Sequence, residues 1–158
     1  MKKTAIVYSS IHQGNTYKIV KAISDKYDID LIDVSKDYKV DLSKYSMIGF
    51  ASGIDFGRFY PEVEICLKRN LPENKNIFFI YTCAKTNNKF TKSIEAEALK
   101  KNAKILGIYG CKGYNTYGPW KLIGGMNKNH PNKYEIDNAI KFYENILQIN
   151  KYENCVKL

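Results

Sequence analysis

Five short apolar runs are separated by segments in which apolar residues recur at helical spacing. Thr4 to Tyr8 reads as a buried strand bounded by Lys3 and Ser9, and Ile19, Ile23 and Tyr27 then repeat at the period of a helix. Asp28 to Val34 reads as a second strand, and Ser35 to Tyr45 as a polar, charged connection with room for at most a short helix. Met47 to Ala51 is apolar throughout and ends at Ser52-Gly53, the pattern of a central strand covered on both faces. Pro61 stands where a helix can begin, and Val63, Cys66, Leu67 and Leu71 give that helix an inward stripe. Asn76 to Thr82 is the fourth strand, Phe90, Ile94, Ala98 and Leu99 mark a further helix ending near Lys104, and Ile105 to Cys111 is the fifth strand. Asn132 followed by Glu135 is a capping-box pattern that opens the last helix, whose apolar face is Ile136, Ala139, Ile140, Tyr143, Ile146 and Leu147. Strands alternating with helices predict an α/β fold in one domain over residues 1–150, with a five-stranded parallel sheet between two helical layers. Lys151 to Leu158 reads as a polar, loosely held tail.

In such a sheet, ligands bind outside the carboxyl ends of the strands, so the loops after strands one, three, four and five carry the candidate chemistry. The first runs Ser9-Ser10-Ile11-His12-Gln13-Gly14-Asn15-Thr16 into a helix. Its hydroxyls, the Asn15 amide and several backbone N–H groups are suited to one anion at a helix N-terminus. No lysine or arginine falls between Tyr8 and Tyr17, which suits a phosphate monoester held by dipoles and hydrogen bonds. Gly14 is followed by Asn15-Thr16 rather than Lys-Ser/Thr, so the loop is not a Walker A motif, and it lacks Gly-x-Gly-x-x-Gly. The plain alternative is a strand-to-helix turn capped by Asn15 or Thr16. Ser52 to Tyr60 has two glycines and three aromatics that can cover a flat ring; Thr82 to Asn88 is small and polar. Cys111 to Trp120 begins a loop of roughly twenty residues, long enough to imply a function.

Tyr8-Ser9-Ser10 followed by Gly14-Asn15-Thr16 resembles the phosphate loop of flavodoxins, with His12 where the family usually has threonine or serine and Gln13 as one extra residue. The resemblance implies the flavodoxin-like sheet order 2-1-3-4-5, flavin mononucleotide (FMN) as cofactor, and electron transfer without a catalytic acid, base or nucleophile from the protein. It implies a phosphate site of Ser9, Ser10, His12, Gln13, Gly14, Asn15 and Thr16. It further implies a ring site drawn from Ser52, Gly53, Phe56, Gly57, Thr82, Cys83, Ala84, Cys111, Gly113 and Tyr114. Phe56 is the preferred ring contact, and Phe56-Gly57, then Gly53-Ile54, the peptide whose carbonyl can turn toward the flavin N5. The aromatic that the family usually places after strand four is missing between Thr82 and Asn88, or is supplied by Phe90, Tyr114, Tyr117 or Trp120. His130-Pro131 also resembles a turn of some flavodoxin-like proteins. Two other functions remain: an oxidoreductase on this scaffold, such as a protoporphyrinogen oxidase or quinone reductase, and a flavin-free binding domain. A receiver domain is disfavoured, because strand one ends in Ser9-Ser10 and not in an acidic pair.

Composition changes the picture in two respects. The chain has 158 residues, 44% of them hydrophobic, yet no apolar run long enough to span a membrane. Met1-Lys2-Lys3 leads directly into a strand, and Cys66, Cys83, Cys111 and Cys155 are widely spaced with no histidine nearby to complete a metal site. Reduced thiols, no metal and a cytoplasmic location are expected. The second respect is charge: 25 basic against 16 acidic residues give a formal net charge of +9, whereas flavodoxins are typically acidic. The lysines form no basic run or RNA-binding motif, so the expected partners are redox proteins, acidic ones by complementarity, with neither nucleic acid nor stable membrane insertion.

Overall fold

The computed structural model describes residues 3–156. Strands β1 (Thr4–Ser9), β2 (Ile29–Asp33), β3 (Met47–Asp55), β5 (Asn76–Cys83) and β6 (Lys104–Lys112) form a parallel sheet in the order β2-β1-β3-β5-β6. Counted along the parallel path alone, this is the expected order 2-1-3-4-5. A sixth strand, the two-residue β4 (Arg58–Phe59), pairs antiparallel with the end of β3.

Side chains alternate across the strands, so the sheet has two apolar faces. Ala5, Val7, Ile48, Phe50, Ile77 and Phe79 point to one face, where α2 (Pro61–Asn70) and α3 (Lys92–Leu99) cover them. Ile6, Tyr8, Met47, Phe78 and Ile80 point to the other, under α1 (Asn15–Ser24) and α4 (Lys133–Val156). Each fully buried aliphatic or aromatic side chain of this kind stabilises the fold by about 1.5–3 kcal/mol. The connection between β2 and β3 contains no helix. Asp33, Asp37 and Asp41 each accept a backbone N–H two residues on, turning the chain three times while Val34, Leu42 and Tyr45 pack under the sheet.

Three boundaries differ from the sequence reading, the first being that of α3, which ends at Leu99 rather than near Lys104, where β6 begins. β3 does not stop near Ser52-Gly53 but continues to Asp55, because pairing with Arg58 and Phe59 satisfies its backbone beyond the parallel ladder. α4 does not stop at Asn150 but continues to Val156. Asn150 accepts a hydrogen bond from Asn76 Nδ2 at 2.7 Å, and Glu153 pairs with Lys104, so the last turns are tied to the amino ends of β5 and β6. Lys157 and Leu158 of the expected tail lie outside the described residues. The capping box forms as expected, with Glu135 N–H donating to Asn132 Oδ1 at 3.1 Å and Asn132 N–H to Glu135 Oε2 at 2.8 Å. No helix of the described residues is long and apolar enough to cross a membrane.

Candidate functional site

The turn from β1 into α1 puts Gln13 and Gly14 in the left-handed region, at φ 57° and 65°. Gly14 has open space where a Cβ would stand, and Lys18 N–H donates to its carbonyl to start the helix. The N–H groups of Ile11, His12, Gln13, Gly14, Asn15 and Thr16 donate to no acceptor among the described residues. Unpaired donors in a turn at the positive end of a helix dipole are the elements from which an anion site is built.

The side chains of this loop are less free than its backbone. Ser9 is fully buried and donates to Glu62 Oε1 at 2.6 Å. The Thr16 hydroxyl lies 2.9 Å from that of Thr82 in β5. The Asn15 amide bonds the Tyr114 backbone twice, Nδ2 donating to the carbonyl at 2.8 Å and Oδ1 accepting the N–H at 3.1 Å. Gly113 is what allows this approach, since a Cβ there would stand 2.8 Å from Asn15 Nδ2. Ser10 Oγ accepts the Tyr17 N–H at 3.1 Å, which leaves its own proton free to donate. Of the six polar side chains expected at an anion, Ser9, Asn15 and Thr16 are thus engaged in tying strands and loops together, and Gln13 Nε2 donates to Thr116 Oγ1 at 3.4 Å.

Beyond this turn a cleft opens at the carboxyl ends of β1, β3, β5 and β6. Gly53, Ile54 and Asp55 form one wall with Tyr60; Thr82, Cys83, Ala84, Gly113 and Tyr114 form the other. Ser10, His12, Asn15 and Thr16 close the end nearest the turn, so ten of the residues expected at a ligand reach one cleft. The others do not line it. Ser52 is buried in the base of the hairpin, its hydroxyl accepting Tyr60 N–H and donating to the Gly53 carbonyl. Phe56 is 88% exposed at the hairpin tip, because Phe56-Gly57, at φ 46° and 77°, is the two-residue turn between Asp55 and Arg58. Cys111 packs on the opposite face of the sheet from Cys83, under α4. Ser9, Gln13, Gly14 and Gly57 shape the neighbouring backbone without lining the cleft.

Six further residues line it: Ile11, Asp55 and Asn115, which the sequence reading does not single out, and Ile54, Tyr60 and Tyr117, which are only secondary candidates in their loops. Tyr60 is the clearest case: it precedes Pro61, and its ring stands edge-on to that of His12 with centroids 6.2 Å apart. Burial, with Asp55 and Glu62 nearby, pushes its hydroxyl up to about 12. Burial likewise pushes the Cys83 thiol up to about 12, so both groups stay protonated near neutrality.

Comparison with known proteins places this architecture. Residues 5–121 match the model of the flavodoxin domain. The chain belongs to the flavodoxin family. An uncharacterized protein of Methanocaldococcus jannaschii is 38% identical over 148 residues, spanning 92% of this chain and 99% of that one. Among solved structures, a flavodoxin from the domain Archaea is similar at a TM-score of 0.64 and 15% identity, over 94% of this chain and 99% of that chain. A flavoprotein from Lactobacillus acidophilus, solved in complex with FMN, is similar at a TM-score of 0.56 and 18% identity, over 70% of this chain and 93% of that chain. These two likenesses show the flavodoxin fold. Within that fold, the cleft lies where the flavodoxin resemblance anticipates a cofactor.

Proposed function

We infer that this flavodoxin-family protein binds one FMN in the cleft and carries electrons with it. The observation that supports the reading most is the turn at Ile11 to Thr16: six unpaired N–H groups, no charged side chain in the turn, and space at Gly14 for an oxygen to approach. A phosphate monoester fits that donor set, with the free Ser10 proton as a further donor. The FMN complex of the similar Lactobacillus flavoprotein supports the same choice of ligand.

When bound, FMN supplies reversible one- and two-electron chemistry. The chain's own residues orient and insulate it. Gly53 and Ile54 on one wall and Ala84 and Gly113 on the other offer backbone and small side chains to a flat ring, while Tyr60, Tyr114 and Tyr117 offer aromatic faces. Asp55 brings a carboxylate to the mouth, where its charge opposes negative charge building on a reduced ring. The neutral Cys83 thiol and Tyr60 hydroxyl keep the interior free of competing charge.

Protein purified without added flavin is expected to be yellow and to release a cofactor that co-migrates with FMN on chromatography. Colourless protein that also fails to take up added FMN would refute the reading.

A further inference from the structure

The connection from Gly113 to Pro131 is long, yet its base is firmly held. Tyr114 N–H donates to the His130 carbonyl at 3.0 Å, Asn115 and Met126 exchange backbone hydrogen bonds at 2.9 and 2.7 Å, and Asn127 Nδ2 donates to the Ala84 carbonyl at 2.8 Å. The Asn15 amide adds a further tie to the Tyr114 backbone. On this base stands a short 3-10 turn, Gly118–Ile123, that leaves Leu122 90%, Ile123 71% and the preceding Tyr117 68% exposed. Exposed apolar side chains close in sequence on a well-anchored projection have the composition of a surface that a partner can cover.

The connections that follow β5 and β6 carry charge of one sign, and the carboxylate that lines the cleft, Asp55, stands on the β3 side. Between Gly113 and Pro131, and again between Cys83 and Ile94, the sequence contains no aspartate or glutamate. Lys85 and Lys89 on one connection, Lys121 and Lys128 on the other and Lys112 at the end of β6 are exposed and, among the described residues, unpaired with a carboxylate, whereas Lys92 pairs with Glu95. Tyr117 belongs both to the projection and to the cleft lining, so whatever covers Leu122 and Ile123 is brought to the mouth of the cleft.

We propose that the Gly118–Ile123 turn, together with the exposed lysines of the two connections, is the docking surface for an acidic redox protein that exchanges electrons with the ligand in the cleft. The proposal rests on the FMN reading and adds to it the place and sign of the partner's contact. Complementary charge speeds the encounter and sets orientation, and the apolar turn supplies the water-excluding centre. A membrane suits the surface less well. The same two connections carry Asn87, Asn88, Asn115 and Asn129, whose amides hydrogen-bond to protein surfaces and resist insertion into lipid, and stable anchoring takes more than one short apolar element.

The test uses the FMN-loaded protein and two probes, an acidic [2Fe–2S] ferredoxin and, for the opposite sign, a basic cytochrome c. Calorimetry measures association of the oxidised ferredoxin and needs no electron transfer. Stopped-flow measures reduction of the flavin: each reduced ferredoxin gives up one electron, two reduce one flavin, and the protons come from water. The variants are Lys121→Glu/Lys128→Glu and Leu122→Ser/Ile123→Ser, none of which lines the cleft. Steered encounter predicts that charge reversal slows reduction by ferredoxin about tenfold or more at low salt, and that high salt erases the difference. The apolar variant is expected to weaken association several-fold with its salt dependence intact, while both variants bind FMN like the parent. Ferredoxin association unaffected by both pairs of substitutions, or equal association of ferredoxin and cytochrome c, would overturn the proposal. So would binding of the parent to phosphatidylserine vesicles that is lost in Leu122→Ser/Ile123→Ser. A parent protein that holds no FMN would refute the FMN reading instead, and calorimetry would still decide the docking surface.

Discussion

Cys83 and Cys111 close neighbouring strands but face opposite sides of the sheet, and burial pushes both thiols from 9.0 up to about 12, with the charge of Glu135 adding to the effect on Cys111. The folded protein therefore keeps protons that the unfolded chain releases. Stability from these groups is fully present below about pH 9 and is lost as pH rises through 9 toward 12, by about 1.4 kcal/mol per group for each unit crossed. Tyr60 and Tyr45, raised from 10.0 to about 12, act in the same direction over the upper part of that window. Urea midpoints measured at pH 8.5 and 10.5 are expected to fall steeply for the parent and less steeply for Cys111→Ala; equal falls would show that the thiol is not held protonated. The positions of such residues were only partly legible in the sequence. Ser9, Asn15 and Thr16 stand out as polar residues in an uncharged turn, but nothing local says that each is engaged elsewhere. Their partners Glu62, Tyr114 and Thr82 lie far along the chain and meet them only through the sheet.

At the scale of elements, apolar runs and helical periods were enough to place five strands, the start of α2 at Pro61 and the capping box of α4. The hairpin β3–β4 was not legible, because its turn is Phe56-Gly57 and a phenylalanine at positive φ gives no turn signal. Where the sequence reads as a loop with two glycines and three aromatics, the structure has a paired element whose tip is at positive φ. Arg58 ties it to Glu64 of α2 at 2.5 Å. Gly57 has room for a Cβ, its nearest neighbour being Phe90 at 3.9 Å, but its φ of 77° opposes any other residue by about 1–2 kcal/mol. Because the flavodoxin resemblance assigns the Phe56-Gly57 carbonyl to the flavin N5, Gly57→Ala is expected to lower the oxidised/semiquinone potential of bound FMN while leaving the affinity for oxidised FMN nearly unchanged. Potentiometry that finds no shift would remove the tip from the account of redox tuning. Gly53→Ala is a poorer test, because a Cβ there collides with the Tyr60 hydroxyl and disturbs packing as well.

For the whole molecule, the net charge of +9 is plain in the sequence, but its arrangement is not: the three connections around the cleft from β1, β5 and β6 carry no carboxylate, and Asp55 and Glu62 stand on the β3 side. The sheet order brings these distant loops together, which is why composition alone suggested only a diffuse basic surface. The same convergence makes one site of the uncharged turn, the hairpin wall and the anchored projection. The turn at Ile11 to Thr16 is expected to hold the phosphate of FMN, and titration of flavin-free protein with FMN and with riboflavin measures what that phosphate contributes. Hydrogen bonds to a charged group contribute about 1.5–3 kcal/mol each, so loss of two or more predicts riboflavin binding weaker by about a hundredfold or more. One FMN per chain with that preference is the expected result; equal affinities for the two flavins would contradict the account.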